Sequence, residues 1–459
     1  MTRMTKRSTP HPRIGVRSMI AIPLLMTLWM AETASASSVL ATPEQQALDA
    51  EAVSILNANS LAFSALQTVP GATYLLAYAE YALLPSAQAS SRLPIALNEL
   101  VFSAIQKAVN DDSQYPQVYW LDAPPRNWNS QPIPGGRYSF DNPDCIYRTI
   151  PIDGNSSYVI QGQRTGNGPT DVTFSLISNE NSQQSVAVLT NSQLVVNADG
   201  SYTITVDSSP AVAGQVNHIQ STSQAVQLLI RNNLGDWNTE TPDALTVSLV
   251  GTPSRAPLGD AAIVLDADSD LTQSAIDYGV GALLLKTYSN SVNTLPQPST
   301  SSTLGTLTTQ YSSFGHFMLT NDQAMIVTVN TGGAGYFVLP VTDPWSITVD
   351  PINHQSSLNN KQALPNADGT YTFVISVTDP GVYNWLDPVG LNEGTIMARW
   401  QDLPAVTPAS GGPAISTQVV ALADLATYLP AGTSFVTPSQ RAQQLQARAA
   451  GYALRVASP

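Results

Sequence analysis

Ten residues in two stretches of the chain have the types that bind or transform small molecules. Asp144, Tyr147 and Arg148 lie in the first stretch. Trp345, Asn353, His354, Trp385, Asp387, Glu393 and Arg399 lie in the second. Aromatic faces stack on sugar rings or other flat apolar surfaces, and Asp, Asn and Arg side chains fix hydroxyls or carboxylates by hydrogen bonds. The same residues also have an architectural reading. Trp345 falls in an alternating Trp345/Ile347/Val349 pattern and belongs to a strand facing the core. Arg399 pairs with Asp387 or Glu393 across the end of a sheet sandwich, a use buried arginines often have.

Other chemistries are absent from the sequence. It has no Gly-x-Ser-x-Gly elbow, no His-Glu-x-x-His and no glycine-rich phosphate loop. Beyond the first 36 residues the histidines are His218, His316 and His354, without the close pairing of familiar zinc motifs. Asp266, Asp268, Asp270 and Asp277 have the spacing of a calcium loop. The sixth position, however, is Leu271 where the sharp turn needs glycine, and Asp270 reads better as a helix cap. No metal and no cofactor are expected.

The elements that position these residues begin after an export signal. Arg3, Lys6, Arg7, Arg13 and Arg17 precede an apolar run, 19–30, and then Ala34-Ser35-Ala36. A basic stretch, a short apolar stretch and a small-x-small site make a secretory signal peptide, 1–36. The apolar run is shorter than the roughly 20 residues of a spanning helix. The expected location is therefore periplasmic or secreted, with no transmembrane segment in the mature chain. The whole chain has 19 Lys+Arg and 33 Asp+Glu; removing the signal, with its five basic residues and Glu32, leaves a net charge of −18. A sparse acidic surface argues against nucleic acid as a partner. Cys145 is the sole cysteine, so no intramolecular disulfide exists. In an oxidising compartment a lone thiol is expected to be buried and inert.

Residues 37–112 read as a helical segment opened by Thr42-Pro43-Glu44-Gln45, an N-cap, a proline at the first helical position and a capping-box glutamine. Residues 113–140 hold six aromatics among five prolines without a period, as a lid over a site or a strap on a sheet. Period-two alternation fills 141–268, ahead of a helix and linker at 269–302, with the helix over about 270–289. A second alternating region spans 303–402. The C-terminal segment, 403–459, closes with a helix whose apolar stripe is Leu445, Ala449, Tyr452 and Val456. Its Arg441, Arg448 and Arg455 lie on another face.

The two alternating regions repeat one another. Asn197-Ala198-Asp199-Gly200-Ser201-Tyr202 matches Asn366-Ala367-Asp368-Gly369-Thr370-Tyr371. Asn217 and Asn384 follow at like offsets, and then Arg231 and Arg399. Near-equal spacing suggests duplication of one unit, by which 226–231 is a strand, although Val226, Leu229, Ile230, Leu234 and Trp237 would also suit a helix. The motifs Asp343-Pro344-Trp345, Asn353-His354-Gln355-Ser356-Ser357-Leu358-Asn359, Asn384-Trp385-Leu386-Asp387, Glu393-Gly394-Thr395 with Arg399-Trp400-Gln401, and Asn142-Pro143-Asp144-Cys145-Ile146-Tyr147-Arg148 resemble a bacterial exported family. It is known only as a domain of unknown function, the twelve-fourteen type often paired with twelve-fifty-four. The resemblance covers roughly 141–402, with His354 standing where arginine is expected. It implies a mainly β fold: two antiparallel β-sandwich, jelly-roll-like domains with helical N- and C-terminal segments. It supplies no reaction. It does single out Asp144, Asp387 and Glu393 as carboxylates for acid–base work of the glycoside-hydrolysis kind. Binding of a small carbohydrate-like or apolar ligand between the sandwiches is the leading expectation. A carboxylate-dependent hydrolase or lyase on a glycan or lipid-like substrate, and a structural envelope role, are the alternatives.

Overall fold

Thr42 starts the first helix as its type and spacing predict, its Oγ1 accepting the Gln45 N–H at 3.1 Å. The computed structural model describes residue 1 and residues 38–457 apart from 129, 303 and 305, so the expected signal peptide, Met1 aside, lies outside the described residues. Helices α1 (Pro43–Ala58), α2 (Ser60–Leu66), α3 (Thr68–Tyr81) and α4 (Ala87–Ala108) form the first layer. Gln45 does not complete a capping box. Its side chain accepts the Trp120 N–H at 2.7 Å and donates to the Trp120 carbonyl at 3.1 Å. The aromatic connection is thereby tied to the helices as a strap. It adds the edge strand Tyr119–Leu121 to a sheet and a small hairpin, Arg126–Trp128 with Gln131–Ile133.

Two pairs of sheets follow, built alike. In the first pair a five-stranded sheet runs in the order Tyr119–Leu121, Cys145–Pro151, Gln227–Asn233, Asp171–Ile177, Ser185–Leu189. Its four-stranded companion runs Ala244–Leu249, Tyr158–Gln163, Ser201–Asp207, His218–Gln220. The second pair repeats this strand for strand. Its five are Ser299–Thr300, Tyr311–Met318, Glu393–Gln401, Tyr336–Thr342 and Ser357–Asn359. Its four are Ala414–Ala421, Gln323–Asn330, Tyr371–Ile375 and Trp385–Leu386. The last two strands of each four-stranded sheet are parallel, so these sheets are mixed. Each pair encloses its own apolar core, with Ile150, Phe174, Ile204 and Ile230 in the first and Val327, Phe337, Phe373 and Trp400 in the second. Helix and strand each make up 27% of the chain, so the β-rich body carries as much helix as strand.

The repeat extends to single hydrogen bonds. The Asp199 carboxylate accepts Ser201 N–H and Asp368 accepts Thr370 N–H, both at 3.0 Å, with Gly200 and Gly369 at φ +84° and +82° completing the turns. Asn217 clips the backbone two residues before its turn, accepting Val195 N–H and donating to Val195 C=O, both at 2.8 Å. Asn384 does the same to Leu364 at 2.9 and 2.8 Å.

Five further expectations are corrected. The helix placed at 270–289 begins at Asp260, as α5 (Asp260–Ser274), and continues as a wide π-helical stretch, Ala275–Tyr288. Asp270 is therefore inside the helix rather than at its cap, accepting from Asn181 Nδ2 at 2.9 Å. Trp345 is in a turn: the Asp343 carboxylate accepts the N–H groups of Trp345 and Ile347, at 2.9 and 3.1 Å, and bends the chain out of the alternation. The strand Ala414–Ala421 pairs along its length with Gln323–Asn330, so the second sheet pair extends beyond 402. The last helix, Pro438–Ala453, has the full capping box of Thr437 and Gln440 but docks by its arginine face. Arg441, Arg448 and Arg455 are 6%, 8% and 4% exposed; of the expected apolar stripe Tyr452 is buried, whereas Leu445, Ala449 and Val456 are only half-buried. Seven-residue spacing keeps the three guanidiniums on one side.

Candidate functional site

Where the two sheet pairs and the last helix meet, a cleft of about 810 Å³ opens. Its first wall is the turn after the strand Gln227–Asn233. There Asp236 accepts Asn238 N–H at 3.0 Å and the Thr239 hydroxyl at 2.7 Å, which holds Trp237 and Asn238 toward the cleft. Gly235 has no room for a side chain: a Cβ would lie 2.4 Å from Thr170 Oγ1. Glu240 ties this turn down, accepting Gly235 N–H at 2.8 Å and Thr170 N–H at 2.9 Å. It also pairs with Lys361 of the second sheet pair at 2.7 Å.

The second wall comes from the second sheet pair. Gln355 donates to the carbonyls of Tyr383 and Trp385 at 3.1 and 2.6 Å, which sets Gln355 and the half-buried Tyr383 side by side. The last helix supplies Gln444, Ala447 and Arg448. Arg448 donates to the carbonyls of Pro351 and Ser357 and to Ser357 Oγ, and its guanidinium carbon stands 4.1 Å from the centre of the Trp237 ring. Burial without a carboxylate partner lowers its pKa to about 9, which still leaves it charged at neutral pH.

The charges at this cleft are thus largely committed to one another or to backbone. What remains open to a ligand is the amides of Asn167 and Asn238 and the unengaged ends of Gln355, Gln362 and Gln444, whose other ends bond the Tyr383 and Trp385 carbonyls, Asn359 N–H and Arg441, beside Tyr383. Amides offer donor and acceptor at once.

The residues expected from sequence fall in several places, and none of the ten lines this cleft. Asp144 is fully buried and joins the two sheet pairs. Its carboxylate accepts Trp237 Nε1 at 2.8 Å, the Tyr336 hydroxyl at 2.8 Å and Asn359 Nδ2 at 2.9 Å. Burial raises its pKa, and the bonds from Asn359 and Tyr336 counter the rise. Glu393 fastens the helical layer, accepting the hydroxyls of Tyr78 (2.7 Å), Tyr81 (3.3 Å) and Ser86. Asp387 pairs with His354 Nδ1 at 2.8 Å. The three candidate carboxylates therefore serve three separate networks rather than one acid–base pair.

Arg148 is locked inside the first sheet pair on Asn232 Oδ1 and the Asp243 carbonyl, at 2.6 and 2.7 Å. Trp345 is fully buried against Tyr74 and Tyr78 and donates to the Ala89 carbonyl at 2.8 Å. Asn353 is exposed and bonds Asp350, and Trp385 is covered by Arg441. Arg399 bonds the carbonyls of Phe140 and Met397 instead of Asp387 or Glu393. Burial raises the Tyr147 hydroxyl well above the usual tyrosine range, and the charge of Arg399 counters part of the rise. Trp237, Tyr383 and Gln444 were not foreseen as ligands; the seven-residue arginine spacing was the one sequence signal pointing at this junction. Among the described residues no group of three or more His, Cys, Asp or Glu could hold a metal ion, and no helix is long and apolar enough to cross a membrane.

No known family pattern matches the chain, and no curated protein matches it. Among solved structures it is similar to an uncharacterised protein of Burkholderia cenocepacia. That protein is 24% identical, with 81% of this chain and 99% of that one covered, at a TM-score of 0.67. A Vibrio parahaemolyticus protein is 10% identical over 72% of this chain and 98% of its own, at a TM-score of 0.40. The first likeness shows the fold and nothing beyond it.

Proposed function

We propose that this is an exported, non-catalytic binding protein made of two jelly-roll-like β-sandwiches that arose by duplication, related to the domain family its motifs resemble. Its ligand is a small, neutral, hydroxyl-rich molecule of carbohydrate type, taken up in the cleft between the sandwiches. The observation that carries this reading is the lining. A cleft of about 810 Å³ has the size of a small-molecule site. Its Glu240 is already neutralised by Lys361, and its amides and Tyr383 ring remain for hydroxyls and a sugar face. A hydrolase needs two carboxylates converging on one bond, and the separate engagements of Asp144, Asp387 and Glu393 favour binding over turnover.

The test is thermal unfolding against a panel of neutral mono- and oligosaccharides. A ligand at 100 times its Kd raises stability by about 2.7 kcal/mol. The expected result is a shift with one sugar class that disappears in Gln355→Ala and in Tyr383→Ala. A panel without any shift contradicts the proposal, as does a shift unchanged in both variants.

A further inference from the structure

The two five-stranded sheets turn toward each other the faces that do not line their own cores. Contact across that space is direct, since Asn233 Nδ2 donates to Gln401 Oε1 at 2.5 Å. Arg231 and Arg399 each lie two residues before one of these partners, hence on the same face, and on the middle strand of each sheet. They are the equivalent positions of the repeat. Both are buried, at 3% and 5% exposure, and both bond neutral acceptors only. Arg231 donates to Ser175 Oγ and Gln183 Oε1, each at 3.3 Å, and Arg399 to two backbone carbonyls. Among the described residues neither has a carboxylate within ion-pair distance. A desolvated guanidinium without an anionic partner is costly, and here two of them stand at equivalent positions of the repeat on facing sheets.

Tyr147 sits directly across from Arg231, flanked by Leu121 and Arg231, which are 1% and 3% exposed. It is the one residue of its strand that keeps accessible surface, although burial pushes its hydroxyl well above the usual tyrosine range. That retained surface lies between buried neighbours, on the strand beside Arg231. On Arg231's other side Thr173 is buried with its hydroxyl unpaired. Next to Arg399 the same face turns apolar, with Met397 and, directly across from it, Phe314. The carboxyls that sense these arginines, Asp122 and Asp171, are both raised by burial, Asp171 to about 6, so they offset the two positive charges only in part.

We infer that a chamber lies between the five-stranded sheets and is a second site, which binds a small monocarboxylic acid with its carboxylate between Arg231 and Arg399 and its apolar body against Phe314 and Met397. This goes beyond the cleft and does not depend on it. The experiment is thermal unfolding of the full chain with benzoate and hexanoate, against benzamide and hexanamide as neutral counterparts. The expected result is a dose-dependent rise in Tm with the acids and none with the amides, abolished by Arg231→Gln and by Arg399→Gln. Should either variant not fold, Tyr147→Trp fills the chamber while keeping both arginines, and it too abolishes the response. Equal behaviour of acids and amides overturns the inference, and so does an acid response that survives these substitutions.

Discussion

Replacing Asp144 with alanine separates the architectural from the catalytic role of the residue the sequence made most suspect. Its carboxylate is fully buried and takes three donors, one from Trp237 in the first sheet pair and two, from Tyr336 and Asn359, in the second. Each buried donor left unpaired costs about 1–3 kcal/mol. Relief from desolvating the carboxylate returns part of that. Asp144→Ala is therefore expected to lose about 3–6 kcal/mol in urea unfolding. Asp144→Asn keeps an acceptor for Trp237 but turns N–H groups toward two donors, and should lose about 2–4 kcal/mol. The measurement is the denaturation midpoint followed by tryptophan fluorescence and by circular dichroism, with the slope checked for constancy. A loss under 1 kcal/mol for Asp144→Ala would refute the reasoning. Unchanged stability together with loss of a measurable turnover would hand the residue back to catalysis.

Three further outcomes follow from the geometry. Asn217 has φ +53°, a left-handed value, whereas Asn384 is not among the positive-φ residues. Asn217→Gly should therefore be milder than Asn217→Ala by about 1 kcal/mol, and the order should invert at Asn384, as read by paired unfolding curves. His316 is 3% exposed between the rings of Tyr81 and Tyr288, neither ring nitrogen has a hydrogen-bond partner among the described residues, and burial lowers its pKa to about 4. The unfolded chain then binds the proton first, so this contribution is full above pH 6.5 and is lost as pH falls toward 4. It amounts to about 3 kcal/mol at most, and His316→Phe should flatten that limb of the stability–pH curve. Asp111 runs the other way: burial and the neighbouring Asp270, Asp266 and Asp112 push it up to about 7. Its folded form takes the proton first, so stability rises as pH falls from about 7 toward 4, and Asp111→Asn should remove that gain.

The duplication was legible because its marks are local. An Asn-Ala-Asp-Gly turn and an asparagine that clips it depend on a few neighbouring atoms, and Leu229-Ile230-Arg231 followed as a strand from the repeat alone. The Thr437 capping box was readable for the same reason. What stayed hidden depends on partners far along the chain. The arginines of the last helix look solvated by type, yet they dock on the backbone carbonyls of Pro143, Pro351, Ser357 and Val382, which carry no side-chain signature. Trp345 lies in an alternation that mimics a strand until Asp343 captures two backbone N–H groups. The motif residues Asp144, Glu393 and Asp387 stand out by type as chemistry, but their engagements are those of joints. The cleft residues were invisible because glutamine, tyrosine and alanine at scattered positions form no pattern until the sheet pairs close on the helix.

The most direct test of the account is to fill the cleft without removing a hydrogen bond. Ala447 is exposed on the last helix and lines the cleft, so Ala447→Trp places a ring in the binding space and leaves the fold's contacts in place. Titration calorimetry with the sugar that stabilises the unaltered protein should show affinity reduced at least 100-fold in this variant, with Tm within a degree or two of the parent. Binding at full strength with the cleft so filled would contradict it.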